Sequence, residues 1–170
     1  RISVLFQMDS FENLDFDTDT TLNLIQEALK INVDVWVGYP KKLTYSDGKA
    51  SITAQKIVSS DLSFGKLKNL KINEFDFYFI RQDPPFNMSY LTNCYLLELH
   101  KSFNKKPFFV NDPSGIKNFT EKIFPLFFSE HMPKSLVTED EMIFLKMLRK
   151  HKYLVIKTLY NKGGEGVVKV

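Results

Sequence analysis

Three of the chain's seven glycines fall within Lys157-Thr158-Leu159-Tyr160-Asn161-Lys162-Gly163-Gly164-Glu165-Gly166. A lysine ends one predicted strand, a glycine-rich turn follows, and a second strand returns. Glycines let backbone N–H groups approach phosphate oxygens without a Cβ in the way. A lysine at the strand end adds a point charge for the same oxygens. The same residues, taken alone, read equally well as a surface hairpin turn with incidental lysines. The spacing excludes a Walker loop and a dinucleotide fingerprint, since a strand follows where those need a helix. A second constellation is Arg81-Gln82-Asp83-Pro84-Pro85-Phe86, which follows an aromatic strand. Ligands bind beyond the C-terminal ends of strands in open α/β sheets, so Arg81 and Asp83 are substrate-side candidates. The competing reading has Asp83 accepting backbone amides and Arg81 paired with it.

Other residues are better explained without chemistry. Asp9, Asp15, Asp17 and Asp19 lack the calcium-loop pattern and its glycine, and read as a solvated acidic loop. Cys94 sits mid-helix beside Tyr95 and Leu96 and reads as packed. Phe119, Phe124, Phe127 and Phe128 read as core or subunit contact. His100, His131 and His151 are too scattered for the common zinc spacings.

Elements of two periods must position these residues. Residues 2–8 form a strand, Leu22, Ile25, Ala28 and Leu29 recur at helical spacing with Thr18 to Thr20 as the cap region, and residues 33–37 form a second strand. Strand, helix, strand is the unit of a parallel sheet. Asp47-Gly48 turns a hairpin across residues 42–54; residues 57–73 carry no clear pattern. A buried strand is predicted at 75–80, and two prolines then force an extended loop. A helix over 90–102 is predicted to turn Leu91, Tyr95, Leu96 and Leu99 inward, and a strand spans 108–110. Residues 114–128 are predicted helical with a bend at Pro125. A short strand at 133–137 precedes a capping box, Thr138 with Glu141. That box opens a helix bearing Met142, Ile143, Leu145 and Leu148. Strands at 153–156 and 166–170 flank the glycine turn. The boundary divides the chain into 1–124 and 125–170.

The 170 residues carry 23 basic and 20 acidic side chains, a net charge of +3 that points to neither a nucleic acid nor an anionic membrane. At 44% hydrophobic, with 16 phenylalanines, the chain buries a real core, so disorder is excluded. No apolar run approaches the ~20 residues of a membrane span. A single cysteine excludes an internal disulfide framework and suits a reducing, cytoplasmic setting. The chain opens at Arg1 and ends at Val170 within a predicted strand, so it is expected to be the front of a longer protein.

In order along the chain stand Met8-Asp9, Arg81-Gln82-Asp83-Pro84-Pro85-Phe86, Val110-Asn111-Asp112-Pro113, Glu121-Lys122 and the Lys157 to Gly166 hairpin. This series resembles the bacterial glutathione synthetases, a family of ATP-grasp ligases, over essentially the whole chain. The resemblance implies an α/β fold: a Rossmann-like pre-ATP-grasp domain with a mostly parallel sheet, then the beginning of an ATP-grasp domain. It implies ATP and Mg2+ as cofactors, γ-glutamylcysteine and glycine as substrates, and a homo-oligomer. It implies ATP-binding roles for Lys122, Lys157, Gly163, Gly164 and Gly166, with Lys122 on the inner wall of the nucleotide cleft. Metal ligands are expected beyond Val170, so the 170 residues alone are expected to be inactive. The family usually has Asp near Tyr160, often Asn at Thr120 and often Pro at Ser10, so these local contacts depart from the pattern. Two alternatives stand beside this: another ATP-grasp carboxylate–amine ligase, and a non-catalytic α/β domain binding a ligand or partner.

Overall fold

A computed structural model describes every residue except Ser60, Lys152, Lys162 and Gly163. At its centre lies β1 (Ser3–Met8), followed by α1 (Thr20–Lys30) and β2 (Asp34–Ser46). The cap of α1 falls on Asp19, whose carboxylate accepts from the amides of Thr21 and Leu22. It thereby satisfies donors that a helix start leaves unpaired. β2 runs on past Val37 into the predicted hairpin, its register shifting between Gly38 and Leu43. Asp47 and Gly48 both take positive φ, the requirement of the tight turn into β3 (Lys49–Lys56). The unpatterned stretch holds β4 (Lys68–Lys71), a lysine-bearing edge strand. Then come β5 (Phe77–Arg81), α2 (Met88–Phe103) and β6 (Phe108–Val110). The sheet order is β4-β3-β2-β1-β5-β6. β1 pairs parallel with β2 and β5, and β5 with β6, while β3 and β4 add antiparallel pairings. The mostly parallel α/β sheet expected from the sequence is therefore present.

Alternation along β1 divides the core into two layers. Val4, Phe6 and Met8 pack with Ile25 of α1 on one face. Leu5 packs with Tyr78, Ile80 and Leu97 of α2 on the other. Both faces of a central parallel strand are covered, so its residues read as one apolar run. α2 is rotated from the predicted phase. Its buried residues are Cys94, Leu97 and His100, whereas Tyr95 and Leu99 are exposed. The stripe includes a histidine, which an apolar pattern passes over. His100 is held because Nδ1 accepts from the Ala50 amide at 2.9 Å and Nε2 faces the Lys106 carbonyl at 3.0 Å.

Beyond β6 lie α3 (Pro113–Asn118), a 3₁₀ segment (Phe124–His131), α4 (Glu141–Lys150), β7 (Val155–Ile156) and β8 (Val168–Lys169). Three expectations are corrected here. The helical stretch breaks at Phe119–Thr120, not at Pro125, which occupies the first turn of the 3₁₀ segment, where a missing N–H costs nothing. Residues 133–137 are irregular and form no strand among the described residues. The cap of α4 is Asp140, which accepts from the amides of Met142 and Ile143. Thr138 accepts instead from the Asp140 amide.

Candidate functional site

The C-terminal edge of the sheet builds the first wall. Asp9, just past β1, accepts from the Asp83 amide at 2.6 Å, so the ends of β1 and β5 are tied. Arg81 ends β5, and its guanidinium donates to the hydroxyls of Thr21 at 3.1 Å and Thr20 at 2.7 Å. It clamps the first turn of α1 to the sheet. Asp83 is exposed on the proline loop beyond it. Beneath the loop, the Tyr78 hydroxyl donates to Gln7 and the Gln7 amide donates to Gln82, all three buried. Polar groups so buried need such partners. The aromatic end of the loop is ordered by Phe86, whose ring lies 5.0 Å from Tyr90. Tyr90 donates to the Gln82 carbonyl at 3.3 Å. Burial, then Cys94 and the carboxylates of Asp83 and Asp9, push the Tyr90 phenol up to about 12.

The second wall is α3 with its following turn. The Asp112 carboxylate caps α3 by accepting from the Ser114 amide. Past the helix, Lys122 is drawn inward: its side chain is 17% exposed, against 71% for Glu121 beside it. Its ammonium donates to the Asn161 carbonyl at 2.8 Å. The two constellations found in the sequence, Glu121-Lys122 and the glycine turn, therefore meet.

The third wall is the β7–β8 hairpin. Val155 pairs with Lys169 and Ile156 with Val168. Lys157 leaves β7 exposed and makes no ion pair among the described residues. Gly164 and Gly166 take φ of +80° and +71°. Their surroundings differ. A Cβ on Gly164 would meet nothing within 4 Å, whereas one on Gly166 would lie 2.7 Å from Thr158. Gly166 thus has a reason internal to the hairpin, while Gly164 leaves open space beside its backbone. Gly163, the remaining glycine of the expected phosphate flap, lies outside the described residues, as does Lys162.

Between the walls lies a cleft of about 340 Å³. Pro84 and Phe86 line it from the loop, Tyr90 from the start of α2, Asn111, Ile116, Phe119 and Thr120 from the second wall, and Tyr160 and Asn161 from the hairpin. Apolar surfaces with few polar groups suit a small organic ligand. Sequence reasoning assigned no role to Tyr90, Asn111 or the Gln7–Gln82 pair, though Asn111 and Gln82 lie within its motifs. A glutamine within the apolar run of β1 was the available signal for the last. The acidic residues before α1 are used locally: Asp15 accepts from Thr18 and from the Asp17 amide, and Asp19 is the cap. Among the described residues no group of three or more His, Cys, Asp or Glu side chains forms a metal site. Phe119, Phe127 and Phe128 gather round Phe124, with Phe127 78% exposed, so they form a surface aromatic cluster.

Comparison with known proteins bears on this arrangement. The family model "Prokaryotic glutathione synthetase, N-terminal domain" matches residues 2–117, and "Prokaryotic glutathione synthetase, ATP-grasp domain" matches 121–170. A glutathione synthetase of Brucella melitensis is 33% identical over 98% of this chain and 54% of its own length. That of Agrobacterium fabrum is 31% identical over 97% and 52%. That of Mesorhizobium japonicum is 30% identical over 98% and 54%. The chain spans about half the length of the curated relatives it matches.

Proposed function

We propose a ligase function from a plain premise: the chain belongs to the prokaryotic glutathione synthetase family. In this reading the whole protein joins γ-glutamylcysteine and glycine at the expense of ATP. The cysteinyl carboxylate attacks the γ-phosphorus of ATP and displaces ADP. The glycine amine then attacks the acyl phosphate carbon, inorganic phosphate leaves, and the ammonium proton is lost. A carboxylate is a poor electrophile until one oxygen becomes a good leaving group, which is what the phosphorylation supplies. The protein's part is to balance phosphate charge with fixed donors and to exclude water.

The observation that carries the proposal is the Lys122 ammonium, mostly buried, at the carbonyl of Asn161 inside the glycine turn. Two cations, Lys122 and Lys157, then serve one turn, with the open backbone at Gly164 for phosphate oxygens. Gly163 and Gly166 belong to the same flap in this reading, and Asp83 and Arg81 lie on the dipeptide side. The described residues do not gather a His, Cys, Asp or Glu set that would hold magnesium. The division at 124/125, a homo-oligomer and a cytoplasmic setting belong to the same reading. No described helix is long and apolar enough to cross a membrane.

Lys157→Met in the full-length protein tests it. The substitution keeps the apolar stem and removes the charge. Losing a charge-assisted contact to phosphate costs about 1.5–3 kcal/mol, or roughly 10- to 150-fold in ATP affinity. Lys49→Met is the control. It lies at the turn packed against Phe103, the far end of α2, and that 16-residue helix separates it from the cleft by about 24 Å. Calorimetric titration with ATP should show the loss for Lys157 only. Equal, small effects would make Lys157 a solvated lysine and misplace the nucleotide site.

A further inference from the structure

We infer that Phe86 and Tyr160 are a positioning pair that docks the glycine hairpin onto the proline loop and so sets where the phosphate-binding turn stands. The inference rests on the ligase reading above and adds two residues to it.

The two segments are remote in sequence, yet they are joined by backbone and side chain together. The Phe86 amide donates to the Tyr160 carbonyl at 3.0 Å. Their rings lie 6.5 Å apart at 26°, a stacked arrangement. Phe86 also packs against Tyr90 at 5.0 Å, so rings link α2 to the hairpin through Phe86. A neighbouring carbonyl, that of Asn161, accepts from Lys122. Consecutive carbonyls of the hairpin are thus held by donors from two different walls of the cleft.

This matters because β7 and β8 offer little to hold the turn by themselves. Each contributes two residues, and Val155 and Val168 are more than half exposed. An isolated two-stranded hairpin of that size is marginal in water. Among the described residues the contacts that reach it from outside are the Lys122 ammonium and, on the loop side, the Phe86 amide with the ring stack. Tyr160 also lines the cleft, so displacing it would move a wall as well as the turn. Phe86 and Tyr160 need not touch the reacting atoms. They act through the backbone that carries Lys157 and Gly164.

The test uses the full-length protein and two readouts. The first is hydrogen exchange at the Phe86 amide, whose partner is the Tyr160 carbonyl. The second is ATP affinity by calorimetric titration, with kcat at saturating ATP. An aromatic pair contributes enough that Tyr160→Ala should weaken ATP binding and speed the Phe86 exchange, each by roughly 2- to 12-fold. The KM for ATP should rise by a larger factor than kcat falls. Tyr160→Phe keeps the ring and should restore both readouts. Phe86→Leu should reproduce the alanine effect, and the thermal unfolding midpoint should hold in all three variants. Unchanged exchange in Tyr160→Ala would overturn the docking. Faster exchange with unchanged ATP affinity would overturn the positioning role. Both results presuppose a wild type that binds ATP; a wild type that does not would overturn the ligase reading and, with it, the role given to this pair.

Discussion

His100 offers the sharpest test of how the fold carries α2 to the cleft. Its ring is fully buried, with Nδ1 accepting from the Ala50 amide. The proton therefore sits on Nε2, which donates to the Lys106 carbonyl. Asn104 completes the arrangement by donating to the carbonyls of Gly48 and His100. One side chain thus joins α2, the β2–β3 turn and the approach to β6. His100→Leu keeps the bulk but leaves the buried Ala50 N–H unpaired and the part-buried Lys106 carbonyl without its donor. The buried N–H costs about 1–3 kcal/mol and the carbonyl, which water can reach, adds little, so the variant should lose about 1–3 kcal/mol. For a chain of this size that is a fall of roughly 2 to 12 °C in the melting temperature. The dependence on pH has a definite sign. Burial lowers the His100 pKa below 6.5, and protonating Nδ1 would set a donor against the Ala50 amide. The unfolded chain therefore takes up the proton more readily. The contribution of His100 is fully present above pH 6.5 and is lost as the pH falls below that value toward the folded pKa. Leucine has no such loss, so the stability gap between wild type and variant should narrow on acidification. Thermal unfolding of both proteins across that pH range measures it. A fall below about 2 °C at neutral pH, or a gap that widens with acid, would refute the reasoning.

The glycines give a second contrast. Gly166→Ala combines a positive φ, about 1–2 kcal/mol, with a Cβ driven to 2.7 Å from Thr158, whose hydroxyl donates to Glu165. Gly164→Ala carries only the conformational cost. Exchange of the Leu154 and Val170 amides, which cross-pair at the hairpin's open end, should speed up more in Gly166→Ala. Equal rates in the two variants would contradict this. Burial pushes the Cys94 thiol up to about 11, so in the folded protein it should react with a disulfide reagent on the order of a hundred-fold slower than a free thiol. Fast labelling without unfolding would show that Cys94 is not packed.

Legibility in the sequence followed the range of the forces. The β1–α1–β2 unit could be read because its apolar periods are local, and both faces of β1 are covered in consequence. The phase of α2 could not, because the side chain that fixes it is a histidine whose partners are a backbone amide and a carbonyl elsewhere in the chain. The cap of α4 was placed two residues early. Thr138 and Asp140 both qualify by type, and only backbone geometry gives the amides of Met142 and Ile143 to the aspartate. A strand at residues 133–137 has the right composition, but composition does not supply a neighbour to pair with.

The site divides the same way. Lys122, Lys157 and the glycines were legible as residue types suited to phosphate, and Arg81 and Asp83 as polar groups at a strand end. What each one faces was not. Arg81 spends its guanidinium on the threonine hydroxyls of α1, and Asp83 is exposed on the proline loop with its amide held by Asp9. Lys122 lies 39 residues from the carbonyl that accepts from it, and no local pattern encodes that pairing. The family resemblance leads one to expect an acidic residue near Tyr160. The contact that Tyr160 makes with the loop is an aromatic one, its ring stacked on Phe86. The hairpin's hold on the loop then depends on ring surface and one backbone hydrogen bond, neither of which weakens as salt screens charge. Its docking should therefore be nearly indifferent to ionic strength, while the lysine contacts to phosphate should not.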